Sequence, residues 1–112
     1  MSSTSVRIRY ENLRTLAFGA ISGTYAGVGA AFANPVRILK ITNTTDGDLT
    51  ISFDGVNDKD IVPASSSWIH DYGSNKAETG GQLDQAIGER VYVKGTASLG
   101  SVYVTVIYAS AS

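Results

Sequence analysis

Short stretches in which apolar and polar residues alternate are the feature that most constrains how this 112-residue chain can fold. Residues 6–10 read VRIRY, residues 49–53 read LTISF and residues 102–108 read VYVTVIY. A period of two places successive side chains on opposite faces of a β-strand. No segment of ten or more residues carries apolar residues at helical spacing. The pattern therefore predicts a chain of short strands.

Turn sequences separate these stretches at intervals of roughly 8–12 residues, which is typical of an antiparallel sandwich or barrel. Asp46-Gly47 lies between strands predicted over residues 36–42 and 49–53, and this dipeptide is typical of a tight hairpin. We expect an all-β fold, a single antiparallel β-sandwich, jelly-roll-like, with about 7–8 short strands.

The domain boundaries follow from the same pattern. We expect residues 1–10 to form an N-terminal arm and first strand, and residues 11–112 to form the single sandwich domain, because this length suits one domain. In the arm, Val6, Ile8 and Tyr10 share the covered face of a half-buried strand, and the arginines between them face solvent or a partner. Residues 73–90 contain four glycines and no strand pattern, which predicts one long loop.

The composition leaves little catalytic chemistry. The chain has no cysteine and one histidine, which excludes a disulfide scaffold, a thiolate site and a multi-histidine zinc site. Asp71 follows His70 directly and points to the opposite face of a strand, so it is badly placed to orient that histidine in a triad. We expect no enzyme, no catalytic residue and no cofactor.

Acidic residues cluster between Asp54 and Asp60, where oxygen ligands could hold calcium. The spacing departs from the EF-hand pattern, and aspartates in turns commonly bend the chain for structural reasons. We therefore expect no metal site, with a cation in this loop left as the alternative.

No charged residue occurs between Arg14 and Arg37. Four glycines interrupt this run, which favours strands and glycine-rich turns over a membrane span or a signal peptide. Alternation of Leu16, Phe18 and Ala20 with their neighbours predicts a strand here.

Charge is distributed unevenly along the chain. Residues 1–40 carry five basic residues and one acid, whereas residues 41–90 carry nine acids and three bases. This asymmetry would favour head-to-tail assembly if it survives folding, although folding could also mix both halves on one surface. The overall net charge of −1 argues against a general nucleic-acid binder.

Three segments share a layout with a known group of proteins. They read NPVRILKITNTTDGDLTISFDG (34–55), DKDIVPASSSWIHDYGSN (58–75) and ERVYVKGTASLGSVYVTVIYA (89–109). In this layout, residues 34–109 resemble the small β-sandwich structural proteins encoded among the virion genes of tailed bacteriophages. The resemblance implies a non-enzymatic virion component, assembled in the host cytoplasm, such as a capsid decoration (cement) protein. A head–tail connector or a tail component is the alternative.

The expected partners are further copies of the chain and a larger virion protein, either the major capsid protein or a portal or tail protein. We expect no nucleic acid, membrane or small-molecule substrate as partner. A carbohydrate-binding module built on Trp68, Tyr72, Tyr92, Tyr103 and Tyr108 is a further alternative. The residues expected to contact partners are Val6, Arg7, Ile8, Arg9, Tyr10, Tyr25, Phe32, Lys76 and Glu78.

Overall fold

The computed structural model describes residues 6–71 and 88–111. Within them the chain forms nine β-strands and one turn of 3₁₀ helix at Phe18–Ala20. The predicted all-β fold is confirmed. The strands are β1 (Val6–Tyr10), β2 (Arg14–Ala17), β3 (Ala26–Gly27), β4 (Ile38–Asn43), β5 (Leu49–Ser52), β6 (Asp60–Val62), β7 (Ser66–Asp71), β8 (Tyr92–Gly95) and β9 (Ser101–Ala111).

The strands form two antiparallel sheets that pack face to face, as predicted for a β-sandwich. Sheet A has the order β1–β9–β4–β7, and β2 pairs with β9 on the same edge as β1. Sheet B has the order β3–β8–β5–β6. Every pairing is antiparallel, so the connections can be short.

The strand pairs are nested along the chain. β5 pairs with β6, β4 with β7, β3 with β8 and β2 with β9. The chain therefore runs as one long antiparallel ribbon that turns at residues 53–59, and successive pairs alternate between the two sheets. Two further pairings, β4 with β9 and β5 with β8, complete the sheets.

The predicted hairpin at Asp46-Gly47 is wrong, because β4 and β5 belong to different sheets. Hydrogen bonds from the Asn43 side chain stabilise the connection between them. Its Nδ2 donates to the Gly47 carbonyl at 2.9 Å, and its Oδ1 accepts from the Thr45 backbone N–H at 2.9 Å. A Cβ on Gly47 would overlap the carbonyl oxygen of Thr96. Glycine is needed here for close approach of two loops.

The core lies between the sheets and is built from alternate residues of the strands. Val102, Val104 and Val106 of β9 are fully buried, as the alternation in that strand predicts. Burying each Val, Leu or Ile side chain contributes about 1.5–3 kcal/mol. The other buried apolar residues are Ile21, Val28, Phe32, Val36, Leu39, Ile41, Leu49, Ile51, Val62, Val91 and Val93.

The uncharged stretch forms less strand than its alternation predicts. After β2 ends at Ala17, Phe18 and Ala20 belong to the 3₁₀ turn, so the predicted extension of the strand through these residues is wrong. Beyond β3 the chain inserts Val28, Phe32 and Val36 into the core from irregular backbone. Among the described residues, no helix has the length and apolar character needed to cross a bilayer.

Candidate interaction surface

The edge of sheet A is one interrupted strand. β1 pairs Tyr10 with Ile107, whereas β2 pairs Arg14 with Val104. Residues 11–13 therefore lie opposite only two residues of β9, which is the extra residue of a β-bulge. The extra residue reverses the alternation, so the even-numbered residues of β1 lie on the outer face of sheet A, while those of β2 face the core.

β1 pairs with the end of β9 in a two-stranded ribbon. From here on, "the arm" means this ribbon, which contains the strand of the predicted N-terminal arm. β9 pairs with β4 only as far as Ile107, and from Tyr108 to Ala111 it pairs with β1 alone. Isolated two-stranded ribbons are marginally stable in water. An arm of this kind gains stability when a further surface covers it.

The predicted strand in the arm is confirmed, but its predicted covered face is wrong. Ile8 is 70% exposed and Tyr10 is 66% exposed. The bulge turns these side chains away from the core, and among the described strands β1 pairs with β9 alone. The arm therefore presents apolar side chains to solvent.

These apolar side chains continue across the outer face of sheet A. The register aligns Tyr10 with Ile107 and Ile107 with Ile38. Ile107 and Ile38 are half-buried. Ile69 on β7 lies on the same face and is 64% exposed, with Lys40 opposite it and Asp71 opposite Ile38, so charged residues border the apolar ones there. A group of exposed apolar residues marks an interaction site more often than scattered ones do. We call this set the apolar strip: Ile8, Tyr10, Ile38, Ile69 and Ile107.

A buried ion pair fixes the arm to the sandwich. The Arg14 side chain is 8% exposed, and its Nη2 donates to the Glu11 carboxylate at 2.6 Å. Arg14 Nε donates to the Ala30 carbonyl at 2.8 Å. The second Glu11 oxygen accepts from the Ala33 N–H at 3.1 Å and the Asn34 amide at 2.9 Å. The pair thus binds the bulge to the loop between β3 and β4.

The surroundings of Glu11 keep its carboxylate charged. Burial alone would raise the pKa of Glu11, but the hydrogen bonds from Arg14 and Asn34 and the guanidinium charge outweigh it, and the pKa lies below its usual value. Close contact with the loop also needs a small residue, since a Cβ on Gly29 would overlap the Arg14 side chain.

Two of the predicted contact residues lie away from the arm. Phe32 is 2% exposed and packs in the core beneath the Arg14 guanidinium, whose carbon lies 5.5 Å from the ring centroid. It offers no surface to a partner in this arrangement. Tyr25 lies beside sheet B, where its hydroxyl donates to Asp58 at 2.5 Å and the Lys94 ammonium lies 4.6 Å from its ring centroid.

The other predicted contacts divide as follows. Ile8, Arg9 and Tyr10 are exposed on the arm. Val6 and Arg7 belong to β1 and pair in register with Ala111 and Ser110. Lys76 and Glu78 lie outside the described residues, as does most of the loop predicted over residues 73–90.

Tyr25 is held in its neutral form by its surroundings. Burial and the hydrogen bond to the Asp58 carboxylate raise the pKa of Tyr25 to about 12. The same bond, together with Lys94 at 3.0 Å, holds the pKa of Asp58 below its usual range. The cluster connects the turn at residues 53–59 to β8 and the chain before β3.

The acidic turn uses its carboxylates to shape the backbone. Asp54 accepts from the Asn57 N–H at 2.9 Å and from the Ser52 hydroxyl at 2.7 Å, and its pKa is strongly lowered by these bonds. Asp60 accepts from the Trp68 indole N–H at 2.5 Å. Among the described residues no group of three or more acidic, histidine or cysteine side chains could hold a metal ion. Asp54 thus shapes the turn, whereas Asp58 and Asp60 bind side chains outside it.

The aromatic residues considered for sugar binding do not share a face. Trp68 lies on the inner side of sheet A, where it packs against the core and stacks on His70 with ring centroids 5.7 Å apart. Tyr103 lies on the outer face of sheet A, Tyr108 pairs with Arg9 in the arm, and Tyr92 pairs with Gly27 in sheet B. Tyr72 lies outside the described residues. The described aromatics therefore form no common platform.

The end of the sandwich opposite the arm carries a second exposed patch, which the sequence pattern did not indicate. Leu99 is 55% exposed and Phe18 is 41% exposed. The Phe18 N–H donates to the Gly100 carbonyl at 3.1 Å, which brings the two segments together. Phe18 and Leu99 are 81 residues apart in sequence, so no local pattern links them.

Two aspartates lie in the loops at this end of the sandwich, and Asp46 adjoins the patch. Asp46 accepts from the Ser98 N–H at 2.8 Å and from its hydroxyl, and these bonds lower its pKa. Asp48 accepts from the Ala64 N–H at 2.9 Å. The lowered pKa keeps Asp46 negatively charged near neutral pH. We call this set the end cap: Phe18, Asp46, Asp48 and Leu99.

Comparison of the chain with protein-family models, with curated protein sequences and with solved structures gives no match. The functional argument therefore rests on the geometry of the arm, the apolar strip and the end cap.

Proposed function

We propose that the protein is a non-enzymatic structural protein of a phage virion, a capsid decoration protein that stabilises the shell by binding copies of itself and the major capsid protein. The observation that carries the proposal is the apolar strip, which runs from the projecting arm across the outer face of sheet A. Ile8 and Tyr10 on the arm and Ile69 on β7 are each more than three-fifths exposed. A chain that keeps these residues in solvent loses the free energy that their burial would contribute. Covering them against a neighbour recovers it.

The order of the strands supports the proposal. Counting β1 and β2 as one edge strand, eight strands pair in the nested order of a folded ribbon, four in each sheet. A jelly roll is built in this way, and jelly rolls are common in viral capsid domains. Since one fold serves many functions, the strand order supports the proposal only together with the arm.

A head–tail connector or a tail component would use the same surfaces. Each of these roles needs a small rigid domain with an edge that binds neighbouring subunits, and in each role a neighbour would cover the apolar strip. The three placements differ in the copy number of the protein per particle and in the larger protein that it touches.

Incorporation into particles tests the proposal. An Ile8→Asp/Tyr10→Asp variant places two charges on the apolar strip, at side chains that contribute little to the core. Val56→Asp is the matched control, because Val56 is 76% exposed in the turn at residues 53–59. Quantitative mass spectrometry of purified particles measures the bound protein.

We expect the control to be incorporated like the wild type and the double variant to be lost from particles, with both variants folded by circular dichroism. Normal incorporation of the double variant would overturn the role of the arm. Absence of the wild-type chain from particles would overturn the proposed function itself.

A further inference from the structure

The arm and the end cap are complementary in charge and in apolar character. β1 contains two arginines and no acid, and the exposed Arg9 lies on the face of β1 opposite to Ile8 and Tyr10, so the arm has a basic face and an apolar face. At the opposite end, the loops 18–25, 44–48, 63–65 and 96–100 contain two aspartates and no basic residue. Of these aspartates, Asp46 is hydrogen-bonded to Ser98, which precedes the exposed Leu99.

The two surfaces lie at opposite ends of one sheet. β9 starts at Ser101, next to the end cap, and finishes in the arm. The pairing of β4 with β9 gives the same direction, since Asn43 aligns with Val102 at one end and Ile38 with Ile107 at the other. The cationic arm of one molecule can therefore reach the anionic end cap of the next without folding back on itself.

Pairing of two arms with each other is disfavoured. β1 is an edge strand, and an antiparallel pair of β1 strands centred on Ile8 would set Arg9 of one copy opposite Arg7 of the other. Like charges directly opposite destabilise a strand pair. Charged residues on an edge strand serve in this way to block edge-to-edge association.

We propose that the protein assembles head to tail, with the arm of one copy docked on the end cap of a second copy of the same chain. Such a contact is heterologous: it makes rings when the rotation between copies closes and filaments when it does not. This inference rests on the self-association within the proposed function, and names the two surfaces that meet.

Mixing of two complementary variants tests the arrangement by sedimentation velocity. The first is Ile8→Asp/Tyr10→Asp, which damages the arm and leaves the end cap intact. The second is Leu99→Asp, which damages the end cap and leaves the arm intact. Val56→Asp is again the control for a charge at an exposed apolar position, and urea unfolding of each variant checks that the fold is kept.

We expect the wild type and the control to form species above the monomer mass of 11.8 kDa. Each damaged variant alone should weaken association by at least about 30-fold, the effect of losing a central contact. An equimolar mixture should recover a species of twice the monomer mass, because one intact arm then meets one intact end cap. High salt should weaken the wild-type assembly, since opposite exposed charges are screened.

Three results would overturn the inference. A mixture that stays monomeric while the wild type assembles indicates a symmetric contact, and leaves self-association in place. Unchanged assembly of Leu99→Asp removes the end cap from the interface. If the wild type stays at the monomer mass at every concentration, head-to-tail assembly is also wrong. The proposed function is then tested by incorporation into particles alone.

Discussion

Replacing Glu11 by Gln should destabilise the protein by about 3 kcal/mol, at the low end of the range for breaking a buried ion pair. The substitution keeps the size of the side chain and removes its charge. The Arg14 side chain is only 8% exposed, so its guanidinium would keep its backbone acceptors and lose its counter-charge. The Ala33 N–H and the Asn34 amide would also lose the full strength of a carboxylate acceptor.

Urea unfolding followed by the fluorescence of Trp68, the single tryptophan, measures this change. With a slope of about 2 kcal/mol per molar urea, a loss of 3 kcal/mol lowers the midpoint by about 1.5 M. Lys94→Met is the matched control. It breaks the ion pair with Asp58, whose side chains are 31% and 60% exposed, and should cost no more than about 1 kcal/mol.

The pH dependence gives a second readout of the same pair. The folded-state pKa of Glu11 lies below its usual value, so its contribution to stability is present near neutral pH and is lost as the pH falls through the folded-state pKa. The Glu11→Gln variant should therefore lose less stability than the wild type on acidification. The reasoning is refuted if Glu11→Gln costs no more than Lys94→Met, or if both proteins respond equally to acid.

Three further outcomes follow from single positions. Tyrosinate absorbance should reveal one group that ionises near pH 12 and is absent in Tyr25→Phe. Because the raised pKa means that the unfolded chain loses this proton first, the free energy of unfolding should fall from about pH 10 towards pH 12. An identical titration of both proteins would contradict this. Ser65 has a φ of 56°, so Ser65→Gly should raise the free energy of unfolding by about 0.5–1 kcal/mol in urea titrations, and a loss would contradict the strain. Gly47→Ala should cost about 1–3 kcal/mol in the same assay, because its Cβ meets the Thr96 carbonyl, and an unchanged midpoint would show that the loops separate freely.

Much of the sandwich is readable from the sequence because a period of two fixes which side chains share a face. Val102, Val104 and Val106 alternate with half-buried residues along β9, and all three are fully buried. Tertiary contacts decide what alternation leaves open. Asp46-Gly47 gives the same local signal whether the chain turns back within one sheet or crosses to the other.

The site was less readable than the fold. The bulge at residues 11–13 has no distinctive sequence, yet it decides that Ile8 and Tyr10 face outward. Arg14 reads as a surface charge and is buried, because Glu11 and the loop carbonyls surround it. The end cap combines residues from loops that are remote in sequence, which only the strand pairing brings together.

Hydrogen exchange of the β1 amides tests most directly the claim that the arm is an interaction surface. In dilute protein the arm has one neighbouring strand and an uncovered apolar face, so its amides should exchange quickly compared with those of β4, which is paired on both sides. In concentrated or particle-bound protein, exchange in residues 6–10 should slow by at least about tenfold while exchange in β4 stays the same. Equal β1 exchange in the dilute and the concentrated or particle-bound protein would contradict the account.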